Sequence, residues 1–443
     1  MLHRTLSEWL DYQQRIHPRS VELGLDRVRV VWQRMGAPHP APVVIAVGGT
    51  NGKGSTVAFL EAMLAAAHKR VGCYTSPHLL RYNERVRVLG VDADDAALVD
   101  AFERIETARR EIPLTYFEFG TLAALWIFSQ SELDVGVLEV GLGGRLDAVN
   151  IVDADAAIVT TVDLDHQDWL GNDRDSIGRE KAGIFRAGRP AIIGMREPPH
   201  GLLVEARRIG AQLVRAGRDF DWLPQFDAWR WTAISVGTDR YVLTPEESLM
   251  LPEPVLAAPC QIDNAAAAIA LLYSLRDRLG WSPPALATGI RAARATARLQ
   301  RFCKPGAAEL VIDVAHNPQA ASVLAQWLVQ HPPQGRNLAV FGALADKDVG
   351  GIVVPLAPRI AAWFLGGLDV ETPRGVPASE LHARTLAATP TATVAEHANI
   401  AAALDCAAAE ATAADRILAF GSFFVAAAAL EWANRNGHCD AST

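Results

Sequence analysis

The residues with the clearest chemical potential lie in one short stretch, GGTNGKGST, at residues 48–56. A lysine among glycines can surround a phosphate group with backbone N–H donors and add a full positive charge. The usual phosphate-loop pattern would require glycine at Val47 and a hydroxyl group at Gly54, so the match is close but incomplete. An ordinary glycine-rich turn is the alternative. The lysine favours a nucleotide polyphosphate, with candidate binding residues Thr50, Asn51, Gly52, Lys53, Gly54 and Ser55.

Two further strand ends carry residues that could bind a metal. Glu139 ends the apolar run DVGVLEV, where an unpaired carboxylate is costly to bury, whereas Mg²⁺ binds few carboxylates together with phosphates and water. His166 follows the run AAIVTTV among several aspartates, Asp163, Asp165 and Asp168. Imidazole and carboxylates are metal ligands, so both positions favour a metal site over a structural ion pair or a surface histidine.

The elements around these residues read as alternating strands and helices. Residues 42–47, PVVIAV, form a β-branched run of strand length, and a helical apolar period begins near Gly54. This strand, turn and helix point backbone N–H groups and the positive end of the helix dipole at one spot. The loop should face solvent when no ligand is bound. A second α/β unit begins with ELVIDVAHNP and continues with alternating strand and helix patterns.

Composition limits the class of protein. With 443 residues, half of them hydrophobic, the chain can bury a large core in two or three domains. A net charge of −8 argues against a nucleic-acid partner, since such a surface must be basic. No apolar run approaches the roughly 20 residues needed to span a bilayer, and the amino-terminal segment is amphipathic, so a cytoplasmic protein without a membrane partner is expected. The five cysteines contain no C-x-x-C pair and are expected to be reduced.

The remaining segments have weaker signals. A helix, a turn at residues 17–18 and the stretch VELGLDRVRVVWQRMG precede the first strand, and LTYFEF precedes an apolar helix. The aromatic and polar alternation between residues 220 and 244 predicts β-hairpins at the edge of a sheet. An alanine-rich helix at residues 262–279 begins with QIDNAA, in which Asn264 could act as a simple cap, and a helix at residues 282–297 precedes a linker at residues 296–305.

Six motifs occur in the order found in one enzyme family: GTNGKGS, TSPHL, EVGLGGRLDA, LDHQDWLG, REKAGIF and DVAHNP. Each motif alone is a weak signal, but together they cover nearly the whole chain. The sequence resembles the bifunctional dihydrofolate synthases/folylpolyglutamate synthases, which are Mur-type ATP-dependent amide ligases. The resemblance implies an α/β protein with two domains. Residues 1–296 would form an N-terminal P-loop-type parallel-sheet ATPase domain that also binds pteroate, and residues 297–443 a smaller Rossmann-like glutamate-ligase domain.

The resemblance also implies an activity. Such enzymes join L-glutamate to 7,8-dihydropteroate and add further glutamates to reduced folates such as tetrahydrofolate, through an acyl phosphate formed from ATP held between the domains. The expected partners are therefore ATP, 7,8-dihydropteroate, tetrahydrofolate and L-glutamate. The expected cofactor is Mg²⁺, as two ions, and the enzyme is expected to be a monomer.

Several residues acquire roles by matching the motifs of this family. Ser76, Glu139 and His166 would bind the metal ions, and Lys181 would be a carbamylated lysine that acts with Glu139 and His166 in catalysis. An ordinary salt bridge from Lys181 to Glu180 or a nearby aspartate is the alternative. The dihydropteroate-binding set would be Glu22, Leu23, Gly24, Leu25, Thr115, Tyr116, Phe117, Glu118, Leu146, Asp147 and Ala148, with Arg81 near the pterin.

On the nucleotide side, the match assigns Asn264, Arg298, Asp313 and His316 to ATP. The family carries L-P-G-R where this chain has ATARLQRF, so its proline and glycine are missing and the geometry of the loop is an open question. Arg301 competes with Arg298 for the role of the arginine that reaches ATP from the second domain. Lys347 is a further candidate.

Three rival functions are weaker. A peptidoglycan-type Mur ligase would carry a UDP-binding domain before the loop, which here begins at Gly48. A monofunctional folylpolyglutamate synthase remains an alternative, against which the ELGLDRV stretch argues. A nucleotide kinase or a non-catalytic nucleotide switch would explain the phosphate loop but not the second unit with DVAHNP.

Overall fold

The computed structural model describes residues 4–17, 22–234 and 248–441. Its chain divides into two compact units. The first comprises Met1–Pro254 and Ile262–Arg294, and the second comprises Val255–Gln261 and Ala295–Thr443. The domain limits drawn from the sequence, 1–296 and 297–443, stay a prediction.

The first eleven helices and eleven strands of the described residues precede residue 295. The helices are α1 (Leu6–Ile16), α2 (Asp26–Arg34), α3 (Lys53–Ala66), α4 (Asp95–Arg109), α5 (Tyr116–Gln130), α6 (Gln167–Leu170), α7 (Arg174–Ala182), α8 (His200–Ile209), α9 (Gln261–Ser274), α10 (Arg276–Leu279) and α11 (Pro283–Ala292). The strands are β1 (Val43–Gly48), β2 (Val71–Tyr74), β3 (Val86–Val88), β4 (Val91–Asp92), β5 (Val135–Glu139), β6 (Ala156–Val159), β7 (Pro190–Ile193), β8 (Gln212–Arg215), β9 (Phe220–Gln225), β10 (Ala228–Ala233) and β11 (Ser248–Pro252).

The main sheet of the first unit has the order β4-β3-β2-β5-β1-β6-β7-β8 in the described residues. Strands β2, β5, β1, β6, β7 and β8 are parallel, and β3 and β4 form an antiparallel edge. Every residue of β1 is buried, as expected for a parallel strand covered by helices on both faces. The carboxyl ends of β2, β5, β1 and β6 therefore lie side by side, which is where open α/β sheets bind ligands.

Helix α3, which follows the phosphate loop, is buried along most of its length. Val57, Phe59, Leu60, Met63 and Leu64 are fully buried. Helix α11 packs directly against it, because a Cβ at Gly289 would lie 2.4 Å from Met63 Cα. The body of α3 is thus held by the core.

A small antiparallel sheet with the order β11-β10-β9 completes the first unit. The predicted hairpin at β9 and β10 is confirmed, but it lies in a sheet of its own and not at the edge of the main sheet. Residues 235–247 lie outside the described residues. Trp231 of this sheet stacks on Tyr273 of α9, with ring centroids 4.7 Å apart. The aromatic residues of the alternating pattern therefore anchor α9.

The second unit contains a parallel sheet with an antiparallel edge. Its helices are α12 (Pro318–Gln330), α13 (Val349–Leu356), α14 (Ala378–Ala388), α15 (Ile400–Glu410) and α16 (Phe423–Arg435). Its strands are β12 (Gln300–Cys303), β13 (Glu309–Ile312), β14 (Asn337–Phe341), β15 (Ala362–Gly366), β16 (Val394–His397), β17 (Arg416–Phe420) and β18 (Cys439–Asp440), in the order β16-β15-β14-β17-β13-β12-β18. Strands β12 and β18 are antiparallel to their neighbours. The predicted α/β class of both units is confirmed.

Three local expectations differ from the structure. Residues 115–119 do not precede α5, because Thr115 is its N-cap and forms a capping box with Glu118. Strand β12 lies inside the segment expected to be a linker, since residues 300–303 pair with β13. Strand β6 ends at Val159, so the following threonines belong to a loop. Of the predicted turn at residues 17–18, Pro18 lies outside the described residues.

None of the helices in the described part of the chain is both long enough and apolar enough to cross a membrane.

Candidate active site

The phosphate loop begins α3 without a side-chain cap. Gly52 is the N-cap residue with φ of 86°, a conformation that glycine adopts without steric strain. The Lys53 ammonium group is half-buried and donates hydrogen bonds to the carbonyl oxygens of Gly49 (3.0 Å) and Thr50 (3.1 Å). The lysine therefore folds back over its own loop. An uncapped helix N-terminus with a lysine beside it is suited to bind a phosphate.

Two threonines that the sequence analysis missed hold this loop. Thr160 Oγ1 donates to the Asn51 carbonyl (2.6 Å), and the Asn51 N–H donates to Thr161 Oγ1 (3.0 Å). A Cβ at Gly49 would lie only 1.9 Å from Thr160 Oγ1, so glycine is required there. The sequence feature that could have identified these threonines is a pair of hydroxyl side chains immediately after a buried strand.

Thr50 joins the phosphate loop to the segment that leads to His166. Its backbone N–H donates to the Thr161 carbonyl (2.8 Å). Its hydroxyl group accepts from the Asp163 N–H (3.0 Å) and donates to the Asp163 carbonyl (3.2 Å). The loop after β1 and the loop after β6 are therefore one hydrogen-bonded assembly.

Asn264 lies against the phosphate loop, as the nucleotide assignment requires. It belongs to the first turn of α9, is 6% exposed, and its Oδ1 would lie 2.5 Å from a Cβ at Gly52. The structure thus brings Asn264 to the predicted phosphate-binding residues. Its contact with the nucleotide stays a prediction.

The predicted metal ligands follow strands of the same sheet edge. The Ser76 N–H donates to Glu139 Oε2 (3.2 Å), which joins the loop after β2 to the last residue of β5. His166 caps α6 after β6, and its Nε2 lies 3.9 Å from Asp165 Oδ2. Within the described residues no three His, Cys, Asp or Glu side chains form a metal cluster. A hydroxyl, a carboxylate and an imidazole beside a phosphate loop still fit Mg²⁺, which takes most of its ligands from phosphate and water.

Lys181 lies on α7 and is 3% exposed. Burial lowers its pKa to about 7; the charge of Lys53 acts in the same direction, and Asp165 and Asp147 oppose it. In the described part of the chain no carboxylate forms an ion pair or hydrogen bond with its ammonium group, and Glu180 pairs with Arg145 (2.9 Å). The salt-bridge alternative for Lys181 is therefore not supported.

The three segments predicted to bind dihydropteroate meet in space. The Gly24 N–H donates to the Leu146 carbonyl (3.2 Å), which joins the amino-terminal segment to the loop after β5. Arg27 pairs with Glu22 (2.6 Å) and with Glu118 (3.0 Å), which joins the same segment to α5. Arg27 was missed as a site residue, although it stands in the LGLDRV motif.

Two buried carboxylates in these segments shape the loops. Glu118 is 2% exposed and accepts from the Thr115 N–H (2.8 Å) in addition to its ion pair. Asp147 accepts from the N–H groups of Leu142 (2.8 Å) and Val149 (3.0 Å). Burial raises the pKa of Asp147 to about 7, against these hydrogen bonds and the charge of Lys53. Both carboxylates are already occupied by protein groups, which favours a positioning role.

In the second unit, Arg298 and His316 both lie against Phe423. The Arg298 guanidinium carbon is 5.5 Å from the centre of this ring, and the His316 ring is 6.0 Å from it. Asp313 accepts from the N–H groups of Leu299 (2.8 Å) and Ala315 (2.7 Å), and desolvation raises its pKa. The structure thus brings Arg298 and His316 to one ring, Phe423, that sequence reasoning missed, and Asp313 holds the residues next to each of them.

The competing arginine and the further candidate lysine of this unit each form an ion pair. Arg301 lies on β12 and pairs with Glu309 (2.5 Å), and Lys347 pairs with Asp346 (3.5 Å). The Arg298 Nη1 donates to the Ala297 carbonyl (3.2 Å), so its assignment to ATP stays a prediction. Arg81, expected near the pterin, is exposed at the start of a short 3-10 helix.

Two family models match the chain in the same order as its two units. The Mur ligase middle domain matches residues 47–272. The Mur ligase glutamate ligase domain matches residues 297–423.

Full-length relatives are similar over almost the whole chain. The dihydrofolate synthase/folylpolyglutamate synthase of Escherichia coli K12 is 43% identical over 433 residues, covering 96% of this chain and 95% of the relative. The Haemophilus influenzae protein of the same name is 40% identical, with 82% and 83% coverage.

Solved structures show the same similarity. E. coli FolC in complex with DHPP and ADP superimposes with a TM-score of 0.88 at 42% identity, covering 98% of this chain and 99% of FolC. A bifunctional folylpolyglutamate synthase/dihydrofolate synthase with Mn, AMPPNP and L-glutamate bound gives a TM-score of 0.85 at 41% identity, with 97% and 98% coverage.

Proposed function

Because this chain belongs to the dihydrofolate synthase/folylpolyglutamate synthase family of Mur ligases, we propose that it joins L-glutamate to 7,8-dihydropteroate with ATP and adds further glutamates to reduced folates. One observation carries this proposal. The amino-terminal segment assigned to dihydropteroate contacts both the loop after β5 and Glu118 of α5, and the phosphate loop follows the adjacent strand β1. An acid substrate and a nucleotide phosphate bound there would be neighbours.

The reaction needs activation of a carboxylate, which is a poor acyl donor. A carboxylate oxygen of the pteroate or folate attacks the γ-phosphorus of ATP, and ADP leaves with the bridging oxygen. The amine nitrogen of L-glutamate then attacks the acyl carbon, loses a proton, and phosphate departs from the tetrahedral intermediate. The loop at residues 50–55 binds the polyphosphate, and Lys53 neutralises charge as it moves from the γ-phosphoryl group to ADP.

Mg²⁺ is the cofactor, and Ser76, Glu139 and His166 are the residues that would hold its two ions. When bound, Mg²⁺ neutralises the negative charge of the transferred phosphoryl group. The Ser76 N–H fixes the orientation of the Glu139 carboxylate through its hydrogen bond. Thr50, through Asp163, fixes the loop that carries His166.

Lys181 is proposed to react with carbon dioxide. A neutral amine is required for this step, and a lysine whose pKa is about 7 supplies it near neutral pH. The amine nitrogen forms a bond to the carbon of carbon dioxide, and one proton is released to water. Carbamylation replaces the positive charge of Lys181 near Lys53 with a negative one. The carbamate oxygens would accept hydrogen bonds from water bound to the metal.

The ligase function is tested by measuring phosphate release. We expect release only when ATP, L-glutamate and either dihydropteroate or tetrahydrofolate are all present. ADP formation over many turnovers without glutamate, beyond the single equivalent that acyl phosphate formation would release, would instead support a kinase or a switch. Activity with tetrahydrofolate but not with dihydropteroate would support the monofunctional alternative.

Residues 23–25 are expected to matter more for dihydropteroate than for ATP. Replacing Leu23-Gly24-Leu25 by Gln-Val-Gln should lower dihydrofolate synthesis by about tenfold or more. Gly24 has φ of 151°, which a residue with a Cβ rarely adopts, so valine there should displace the backbone N–H that bonds to the Leu146 carbonyl in the loop after β5. Glutamate addition to tetrahydrofolate should change less than about threefold. Both rates are measured with saturating ATP.

The exposed hairpin tip Leu89-Gly90-Val91 provides a matched control, because a similar sequence is changed far from the site. The same replacement there should leave both rates unchanged. Equal loss of both activities from the change at residues 23–25 would show that the segment is only structural.

Arg298 and Arg301 are expected to differ strongly. Arg298→Ala should lower kcat/KM for ATP by about 10²-fold, because a charged hydrogen bond to phosphate is lost. Arg301→Ala should stay within about threefold, because an exposed ion pair such as that with Glu309 contributes little. Steady-state kinetics with varied ATP distinguish the two variants, and the reverse ranking would transfer the role to Arg301.

The cytoplasmic location and the monomeric state expected from the sequence also remain proposals. The chain mass is 47.7 kDa, so a single species of about 48 kDa in sedimentation equilibrium would support the monomeric state.

A further inference from the structure

The loop that carries Arg298 has an unusual backbone. Ala297 has φ of 54° and Leu299 has φ of 50°, so both residues that flank the arginine adopt the left-handed conformation. Residues with a Cβ rarely adopt it, because the Cβ approaches the following carbonyl oxygen. Neither residue is glycine, asparagine or aspartate, which tolerate this conformation better. Other contacts must therefore hold the loop.

Side chains and backbone groups of the second unit supply these contacts. The Ala297 N–H donates to Gln300 Oε1 (2.9 Å), and its carbonyl accepts from the Val314 N–H (3.1 Å). The Leu299 N–H donates to Asp313 Oδ2 (2.8 Å). Both peptide groups of Ala297 are thus fixed, one of them by the glutamine side chain.

Gln300 is itself anchored at its other end. Its Nε2 donates to Asp440 Oδ2 (2.6 Å), and Asp440 lies on β18, which pairs with β12 opposite Phe302. The Ala441 N–H adds a hydrogen bond to the Arg301 carbonyl (2.8 Å). The Gln300 carboxamide consequently has one orientation, in which its oxygen faces Ala297.

We propose that Gln300 is a positioning residue for Arg298. Its carboxamide, held by Asp440, keeps Ala297 in the left-handed conformation and so sets the direction in which the Arg298 side chain leaves the backbone. The Arg298 guanidinium group then lies over the Phe423 ring, which the His316 ring also contacts. This inference rests on the proposed role of Arg298 in binding ATP.

The test compares Gln300→Ala, Ala297→Gly and the double variant in the full-length enzyme. Gln300→Ala should raise KM for ATP about five- to tenfold, with a smaller change in kcat. Glycine adopts the left-handed conformation without the alanine's strain, so Ala297→Gly should bring KM of the Gln300→Ala enzyme back to within about twofold of the wild type. Ala297→Gly alone should leave KM unchanged.

Gln334→Ala, which truncates an exposed glutamine of the same unit, is the matched control and should have no effect. If Gln300→Ala does not fold, Asp440→Ala weakens the same anchor, and its smaller rise in KM should also be reversed by Ala297→Gly. An unchanged KM in Gln300→Ala, or a raised KM that Ala297→Gly does not reverse, would overturn the proposal.

A thermal measurement separates this inference from the proposed function. Ala297→Gly should raise the Tm of the Gln300→Ala enzyme by about 2 °C more than it raises that of the wild type. An equal change in both backgrounds would overturn the proposal even if Arg298 binds ATP. If Arg298→Ala leaves KM for ATP unchanged while the Tm difference appears, the role of Arg298 fails and the conformational role of Gln300 stands.

Discussion

Lys53→Ala is expected to abolish ligation, with kcat/KM for ATP lowered by at least about 10³-fold, or about 4 kcal/mol of transition-state stabilisation. The Lys53 ammonium group is the full charge at the start of α3, and it already lies within the loop that would surround the phosphates. Its removal takes away a charge that acts most strongly on the transferring phosphoryl group. Coupled-assay kinetics with dihydropteroate and L-glutamate measure the loss.

Lys69→Ala is the matched control, because Lys69 follows the opposite end of α3. It should retain wild-type activity. The fold of Lys53→Ala should also persist, with an unchanged circular dichroism spectrum, since the helix is held by its buried apolar residues. Activity within about tenfold of the wild type, a change of roughly 1.4 kcal/mol, would contradict the phosphate-binding role.

Lys181→Ala is expected to lose most activity, about 10²-fold or more, because the carbamate that Lys181 would carry is lost from beside the metal site. A small carboxylic acid such as acetate should restore part of the rate by supplying an anionic oxygen ligand in the vacated space. Rates are measured at increasing acetate concentration at constant ionic strength. Labelled carbon dioxide should give a carbamate carbon signal in the wild-type enzyme and none in the variant.

The pH dependence follows from the pKa of Lys181. Since burial lowers it to about 7, the neutral amine that reacts with carbon dioxide becomes scarce as the pH falls below this value, and carbamylation should decrease.

Lys53→Ala serves as the control for the acetate rescue of Lys181→Ala, because acetate cannot replace a cation. A Lys181→Ala enzyme of normal rate, or a structure with metal and nucleotide bound that shows an unmodified Lys181 facing solvent, would refute the carbamate.

The sequence predicted the candidate site best at charged residues that stand in apolar or glycine-rich segments. Glu139 stands in an apolar strand and Lys53 stands among glycines. Packing explains neither residue, so a ligand-binding role was predicted for both. Because the strands that precede these residues are parallel neighbours, their carboxyl ends meet, and Ser76 contacts Glu139 as a result. The α/β class, the small antiparallel sheet and the phosphate loop were predictable for the same physical reason: each has a local pattern.

Contacts between distant segments could not be predicted. Thr160 and Thr161 hold the phosphate loop through side-chain hydrogen bonds to Asn51, which no local pattern reveals. Asp147 and Asp313 looked like ligand contacts, yet the oxygens of both accept hydrogen bonds from backbone N–H groups. These hydrogen bonds depend on how loops from distant parts of the sequence are placed in space, which sequence periodicity does not reveal.

The close approach of Thr160 to Gly49 restricts the mutational routes open to this gene. Any side chain added at Gly49 would overlap the Thr160 hydroxyl group, 1.9 Å from the new Cβ, so that change is blocked while the threonine is present. Removing the hydroxyl first would not make room, because Thr160 Cβ and the Thr160 backbone nitrogen each lie 3.1 Å from the same Cβ position, and Gly49 has φ of 147°. It would also remove one of the two hydroxyl groups that donate to the Asn51 carbonyl. We therefore expect replacements of Gly49 to stay unfavourable even after residue 160 has changed, so that the backbone of a residue far away in the sequence restricts this position to glycine.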